Sequence, residues 1–364
     1  MNTPRRVLLQ TPLLLMPGLA QGAAEFQWAP VDRTPLQFPQ DHGAHPDHRT
    51  EWWYVTAWMS RAGSTPFGLQ LTFFRSRSAH PAANPSRFAP TQLIFLHAAL
   101  ALPEKKKLLH VEQAGRAGSG LADVAVGDTR VWTRSGAQQA RLVREAETDR
   151  YQAMVDAPAF GYTLELDPAA PPLLQGEAAY SRKGPGEKQA SRYYSRPQMR
   201  IAGQLRIGRE NAVAVQGLGW FDHEWSSETL DAASVGWDWT GLNFDDGSVL
   251  MAFRMRGADG SVRWTEAGFR QGPNGPLRSG LQPVFTPLRT WTSPRTGGRW
   301  PVSMRLEVAG RTLQLDALFD DQELDARATT GVPYWEGAVT ATENGRPVAR
   351  GYLELTGYAG AIRM

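Results

Sequence analysis

The sequence predicts an all-β protein of sequential antiparallel strands, arranged as barrels or sandwiches, on three observations. Many short segments alternate apolar and polar residues, as a strand with one buried face must. Turn residues punctuate these segments, with hairpin signals such as Asp245-Asp246-Gly247 and Asn344-Gly345. No window of a dozen residues carries the apolar stripe of an amphipathic helix. At 364 residues the chain exceeds what one core usually supports, so two domains are expected.

Residues 1–24 read as an export signal: Arg5 and Arg6, an interrupted apolar run from Val7 to Ala20, then small residues to Ala24. The paired arginines match a twin-arginine signal, with a leucine and a glutamine where that pattern prefers Phe and Lys. The run is too short to span a bilayer, and no other stretch is apolar enough. A periplasmic or secreted mature chain starting near Ala23 to Glu25 is expected. An extended arm follows to Arg49, with Pro30, Pro35, Pro39 and Pro46. It holds His42, His45 and His48, but Gly43 and Pro46 exclude a helix that would present them as a metal site; a loop can still bind metal.

Strands are expected at Glu51–Met59 and Phe67–Phe74, a hairpin, then at Leu93–Leu100, Leu108–Gln113, Leu121–Val126, Thr129–Thr133, Ala140–Glu145, Arg150–Ala157 and Tyr162–Leu166. Residues 168–190 read as a loop. Strands then resume at Met199–Ile207 and from Ala212 into Gly217–Trp225. Hairpins join Trp239–Phe244 to Val249–Met255 to Val262–Phe269, Val302–Val308 to Thr312–Phe319, and Glu336–Ala341 to Val348–Leu355. Ser226–Asp231 is the polar break nearest the needed division, giving expected domains of 25–228 and 229–364.

Composition excludes several classes. The formal charge of +3 falls to +1 without Arg5 and Arg6, which is no footprint for nucleic acid. The absence of cysteine excludes disulfides, thiol nucleophiles, thiolate zinc sites and a lipidated cysteine. No nucleotide, flavin or haem motif is present, so no cofactor is expected, and protein partners are unspecified.

Gly217–Trp239 is the chemically dense stretch. It sets Asp222, His223, Glu224 and Asp238 among Trp220, Trp225, Trp237 and Trp239. A carboxyl pressed against aromatic faces can stay protonated near neutrality and serve as an acid. The same residues can equally tie strand ends and fill a core. On a regular strand Asp222 and Glu224 face one side, His223 and Trp225 the other.

Asp41-His42-Gly43 with His45, Glu51-Trp52-Trp53-Tyr54, Tyr193-Tyr194-Ser195, Trp220–Trp225, Gly236–Trp239 and Gly351–Tyr358 together resemble the AttH-like family that includes the carotenoid 1,2-hydratases. The resemblance spans almost the whole mature chain and implies two consecutive antiparallel lipocalin-like (calycin) β-barrel domains. It also implies a choice of activities: hydration of an isolated double bond in some members, a hydrolase label without established activity in many secreted ones. Matched to the hydratases, Asp222, His223, Glu224 and Trp225 fall in the catalytic block, with Asp238 a looser match. The exported leader departs from a membrane pigment pathway.

Hydration needs a proton donor, a surround that tolerates a cation, and a base for the water. Asp238 is the expected donor, Trp225 or Trp239 the cation-stabilising face, and His223 or Glu224 the base. Trp52, Trp53, Tyr54, Tyr194, Trp225, Trp237 and Trp239 form the expected surface for an apolar small molecule. A hydrolase would need a nucleophile or a metal. There is no Gly-x-Ser-x-Gly or His-Glu-x-x-His, and a metal site would draw on His42, His45, Glu51 and His223. The third class is a barrel that carries an apolar ligand without chemistry.

Overall fold

Alternating, turn-punctuated segments pair with their neighbours as antiparallel ladders in a computed structural model that describes residues 26–80, 84, 86, 89–228, 230 and 233–362. The expected export signal, residues 1–24, lies outside the described residues. The first sheet holds β1 (Thr50–Ser60), β2 (Phe67–Arg77), β3 (Gln92–Leu102), β4 (Lys107–Arg116), β5 (Ala122–Val124), β6 (Arg130–Ser135), β7 (Gln138–Glu145), β8 (Arg150–Asp156), β9 (Phe160–Asp167), β10 (Leu173–Leu174), β11 (Tyr180–Arg182), β12 (Ala190–Ile207) and β13 (Val213–Ser226). Its order is β4-β3-β2-β1-β13-β12-β9-β8-β7-β6-β5, with β10 and β11 on the side of β12. The two ends approach through an Ala117–Ala122 bridge, so the barrel is nearly closed.

The second sheet holds β14 (Ser234–Phe244), β15 (Val249–Gly257), β16 (Val262–Arg270), β17 (Leu277–Leu281), β18 (Val284–Thr292), β19 (Arg299–Val308), β20 (Arg311–Ala317), β21 (Glu323–Leu324), β22 (Tyr334–Glu343) and β23 (Arg346–Leu355). Its order is β17-β16-β15-β14-β23-β22-β20-β19-β18, and it curls into a half-barrel. The turn at Asn344-Gly345 takes positive φ at both residues, 51° and 74°, which is why asparagine and glycine occupy it.

Three differences from the expected elements have local causes. The loop at 168–190 contains β10 and β11, too short for periodicity to mark. β17 and β18 went unpredicted because their residues alternate poorly and are mostly exposed. The Tyr193–Pro197 segment and the expected strand at Met199–Ile207 are one 18-residue strand, β12, bulged between Arg196 and Met199. Pro197 has no N–H for the ladder, and Gln198 turns outward to donate its backbone N–H to Asn243 of the second sheet. Among the described residues, no helix is long and apolar enough to cross a membrane.

Strand parity sorts the side chains into three layers. Trp53, Val55, Phe73, Leu71, Phe221 and Trp225 pack with others inside the first barrel. Leu242, Trp300, Met304, Leu315, Trp335 and Leu353 belong to the core of the second sheet. Between them, the outer faces of the two sheets meet through Tyr54, Trp58, Tyr193, Trp220, Trp239, Met251, Phe253 and Tyr352. Each such large side chain contributes roughly 1.5–3 kcal/mol when fully buried. The Trp58 indole N–H donates across this junction to the Gly351 carbonyl at 3.0 Å.

Candidate functional site

β13 sends Trp220, Asp222 and Glu224 outward into the middle layer, where they meet Tyr193, Ser191 and Ser195 from the neighbouring β12. Asp222 is 3% exposed. Its Oδ1 accepts the Trp220 indole N–H at 2.7 Å and the Ser195 hydroxyl at 2.5 Å, and its Oδ2 accepts the Tyr193 hydroxyl at 2.8 Å. Behind these donors, Gln175 donates to Ser195 Oγ and Trp239 donates to the Tyr193 oxygen. Burial dominates over the three donors and pushes Asp222 up to about 7, the nearby Glu224 charge adding to the rise. Glu224 pairs with Lys183 at 2.8 Å and accepts the Ser191 hydroxyl.

The second sheet faces this group with Glu336 of β22 and Glu354 of β23, which are directly paired across the ladder. Like charges opposed in this way repel, and one proton shared between them relieves the repulsion. Both carboxyls are pushed up. For Glu336 burial is the main cause and the Glu354 charge the next; for Glu354 burial leads and the charges of Glu224 and Asp222 add to it, partly offset by the Trp237 indole. The Tyr54 hydroxyl faces Glu336, yet it and Glu336 Oε1 are left without a hydrogen bond of normal geometry. Glu266, also raised by burial, completes a set of acids for which Lys183 is the close counter-charge.

A cleft of about 640 Å³ opens between the sheets against this layer. Trp58, Trp220 and Tyr352 line it, while Glu165, Arg200, Asp245 and Arg350 are its exposed charged residues. Trp220 is therefore both wall of the cleft and hydrogen-bond donor to Asp222.

The inner side of β13 belongs to a different network at one end of the first barrel. There the 3-10 turn Gln40–His42 seats the arm on the barrel. A Cβ at Gly43 would lie 2.2 Å from the Gly127 nitrogen, so only glycine permits this approach. The fully buried Glu51 accepts Arg75 Nε on Oε2 at 2.7 Å, and on Oε1 both His45 Nδ1 at 2.7 Å and His223 Nε2 at 2.9 Å. Burial alone would depress His45, but the Glu51 charge and the bonds to Asp41 and Glu51 hold it raised, so it donates from both nitrogens. His223 is lowered by burial, only partly offset by Glu51, and is neutral. Its Nδ1 then accepts the Tyr194 hydroxyl, which in turn accepts from His42 Nδ1. His45 stacks on Trp225 at 3.6 Å and His223 on Trp53 at 4.8 Å.

The ligand atoms of His45, Glu51 and His223 lie within 4.8 Å of one another, the one such metal-type group among the described residues. They fit a metal poorly. Their donor atoms already bond one another, and a divalent cation on Glu51 would sit against the buried Arg75 guanidinium on the same carboxylate.

The structure thus divides the expected site residues. Asp222, Glu224, Trp52, Tyr54, Trp237 and Trp239 meet in the middle layer. His223, Trp53, Tyr194 and Trp225 lie inside the first barrel with His42, His45 and Glu51. Asp238 joins neither. It points into the second sheet, where Arg254 and Arg256 donate to it at 2.6 and 2.9 Å. Bridged to two guanidiniums, it is placed as an ion-pair anchor and not among the residues at the cleft. Residues missed from sequence are Glu336, Glu354, Lys183, Tyr193 and Glu266. The signal for the first two was present as a single carboxylate within Tyr334-Trp335-Glu336 and within Leu353-Glu354-Leu355.

A protein-family model described as AttH-like matches residues 29–358. The crystal structure of a Nitrosomonas europaea protein assigned as an AttH is 45% identical, covers 91% of this chain and 99% of its own, and superposes with a TM-score of 0.82. Kievitone hydratase from Nectria haematococca is 16% identical over 92% of this chain and 97% of its own, with a TM-score of 0.65. CghA with Sch210972 is 14% identical over 86% and 90%, with a TM-score of 0.54. The last two likenesses are of fold. No curated protein matches the chain in sequence.

Proposed function

The chain belongs to the AttH-like family, and from that premise we propose that it binds an apolar, alkene-bearing small molecule at the cleft between its sheets and adds water across the double bond without a cofactor. The observation that carries this reading is Asp222: a buried carboxyl raised to about 7, oriented by three donors and flanked by indole rings beside a cleft. The fold shared with a protein named as a hydratase supports it.

In this reading the Trp220 ring turns aside as the substrate enters and withdraws its N–H from Asp222, which favours the protonated acid further. Asp222 transfers its proton to one alkene carbon. The cation left on the neighbouring carbon lies against the faces of Trp220 and Trp239, whose quadrupoles attract positive charge. A water oxygen bonds to that carbon, and the proton it sheds passes to the Glu336–Glu354 pair. The sum is alkene plus water giving alcohol, with one carboxyl deprotonated and another protonated. Export through residues 1–24 belongs to the same proposal, and N-terminal sequencing of protein recovered from the periplasm or medium tests it.

The test of the chemistry is incubation with isoprenoid alkenes in heavy-oxygen water, with mass spectrometry of the products. Label in an alcohol, lost in Asp222→Asn, is the expected result. Quenching of tryptophan fluorescence by the same alkenes with no label incorporated would make the protein a carrier and sink the hydration reading.

A further inference from the structure

A second set of polar groups runs from the Glu336–Glu354 pair to the surface. The outer face of β3 is covered by the chain around 324–334, and His97 lies completely buried there. His97 Nδ1 is 2.8 Å from the Tyr334 hydroxyl and its Nε2 is 2.8 Å from Thr329 Oγ1. Thr329 Oγ1 donates to Glu112 Oε2 at 2.5 Å, and Glu112, half-buried on β4, is the cross-strand partner of His97. At the inner end, Tyr334 and Glu336 are two apart on β22 and share a face, neighbours without a hydrogen bond of normal geometry between their side chains.

The donors can be assigned along the whole path. Glu112 is an acceptor, so Thr329 spends its hydrogen on it and must accept from His97 Nε2–H. His97 Nδ1 then carries a lone pair and accepts the Tyr334 hydroxyl. That leaves the Tyr334 oxygen free to accept from Glu336, which requires Glu336 to be protonated. Burial and the opposed Glu354 charge push its carboxyl up, in the direction of that form. Burial, with a smaller effect of His110, also depresses His97 to about 3, so the ring stays neutral with one donor and one acceptor. Every hydrogen on the path points outward.

We propose that Glu336, Tyr334, His97, Thr329 and Glu112 form a proton relay connecting the inter-sheet acid site to solvent at Glu112, which does not line the cleft. In one transfer the Glu336 proton moves to the Tyr334 oxygen, the Tyr334 proton to His97 Nδ1, the His97 Nε2 proton to Thr329 Oγ1 and the Thr329 proton to Glu112. Glu336 loses one proton, Glu112 gains one, and rotation of the hydroxyls and the return of a tautomer reset the path. Its use in turnover rests on the hydration reading, where the pair must discharge the proton taken from water while the cleft is filled by substrate. His97 and Thr329 are positioning residues for that transfer and touch no substrate.

The experiment needs no substrate. The full chain is mixed rapidly into deuterated buffer, and the infrared carbonyl stretch of protonated Glu336, assigned by its loss in Glu336→Gln, is followed as hydrogen exchanges for deuterium. Thr329→Val keeps the shape and removes the hydroxyl. Its exchange should slow by roughly tenfold or more, since it then awaits local opening. Thr329→Ser should exchange as the parent does, and Glu112→Gln should slow exchange. Parent-rate exchange in Thr329→Val at an unchanged Tm would overturn the relay, as would a folded Thr329→Ser that stays slow. Slow exchange in the valine variant, combined with no heavy-oxygen incorporation by the parent, leaves the relay standing and removes only the hydration reading.

Discussion

Replacing Asp222 by Asn should stabilise the protein selectively at neutral and alkaline pH. Asp222 accepts from Ser195, Trp220 and Tyr193; an asparagine keeps the first two on its Oδ1, and its Nδ2 donates to the Tyr193 oxygen once that hydroxyl turns away. Because the folded pKa is raised above the ordinary value of 3.8 to about 7, the folded state holds its proton more tightly than the unfolded state does. The resulting stability is fully present below the unfolded pKa and is lost as pH rises through the folded one. A rise of that size corresponds to roughly 4 kcal/mol between the two limits. Asparagine has no proton to lose, so its stability relative to the parent climbs by up to about that amount from about pH 4 to about pH 8. Glu336 and Glu354 tilt both curves, and because the Asp222 charge contributes to the rise of Glu354, the variant's difference also carries a smaller change from that neighbour. Urea unfolding followed by tryptophan fluorescence at a series of pH values measures it directly. Parallel curves for parent and variant across that window would refute the assignment of Asp222 as an acid titrating near neutrality.

Two further outcomes follow from the same geometry. Arg75→Met should destabilise by about 3–5 kcal/mol in urea unfolding, because it strands the fully buried Glu51 without its guanidinium. Gly241→Ala would set a Cβ 2.7 Å from the Trp239 ring and 3.0 Å from that of Trp220, overpacking the middle layer at a cost of about 1–3 kcal/mol. Its tryptophan emission should shift and its quenching by apolar ligands weaken, which titration of parent and variant compares.

Strand class, most hairpins and the facing of the Asp222–Trp225 run are readable in sequence because each depends on residues a few positions apart. β13 does send Asp222 and Glu224 to one side and His223 and Trp225 to the other. What local pattern could not reveal is which compartment each side faces. Asp222 meets Glu336 and Glu354 only because the outer faces of two sheets pack together, and more than a hundred residues separate them in the chain. Asp238 shows the converse limit. Flanking tryptophans in sequence suggest an apolar surround, but alternation turns them to the other face and leaves the carboxylate between Arg254 and Arg256, on the next strand.

Placement of the acids outside both cores has a physical consequence. The first barrel packs its own side chains into a core, among them Trp53, Phe73, Leu71 and Phe221, which makes it a rigid frame for the middle layer. Its one charged end, around Glu51, is saturated with donors and holds the N-terminal arm. The middle layer differs in that its charges outnumber their partners: Asp222, Glu224, Glu266, Glu336 and Glu354 face Lys183, and Glu336 Oε1 and the Tyr54 hydroxyl are left unmet. A stability-driven core would replace such groups with apolar side chains of similar volume, often at a gain. On the hydration proposal, their presence beside a cleft walled by Trp58, Trp220 and Tyr352 serves proton chemistry, since carboxyls pushed up among aromatic rings combine an acid with a surround that tolerates positive charge.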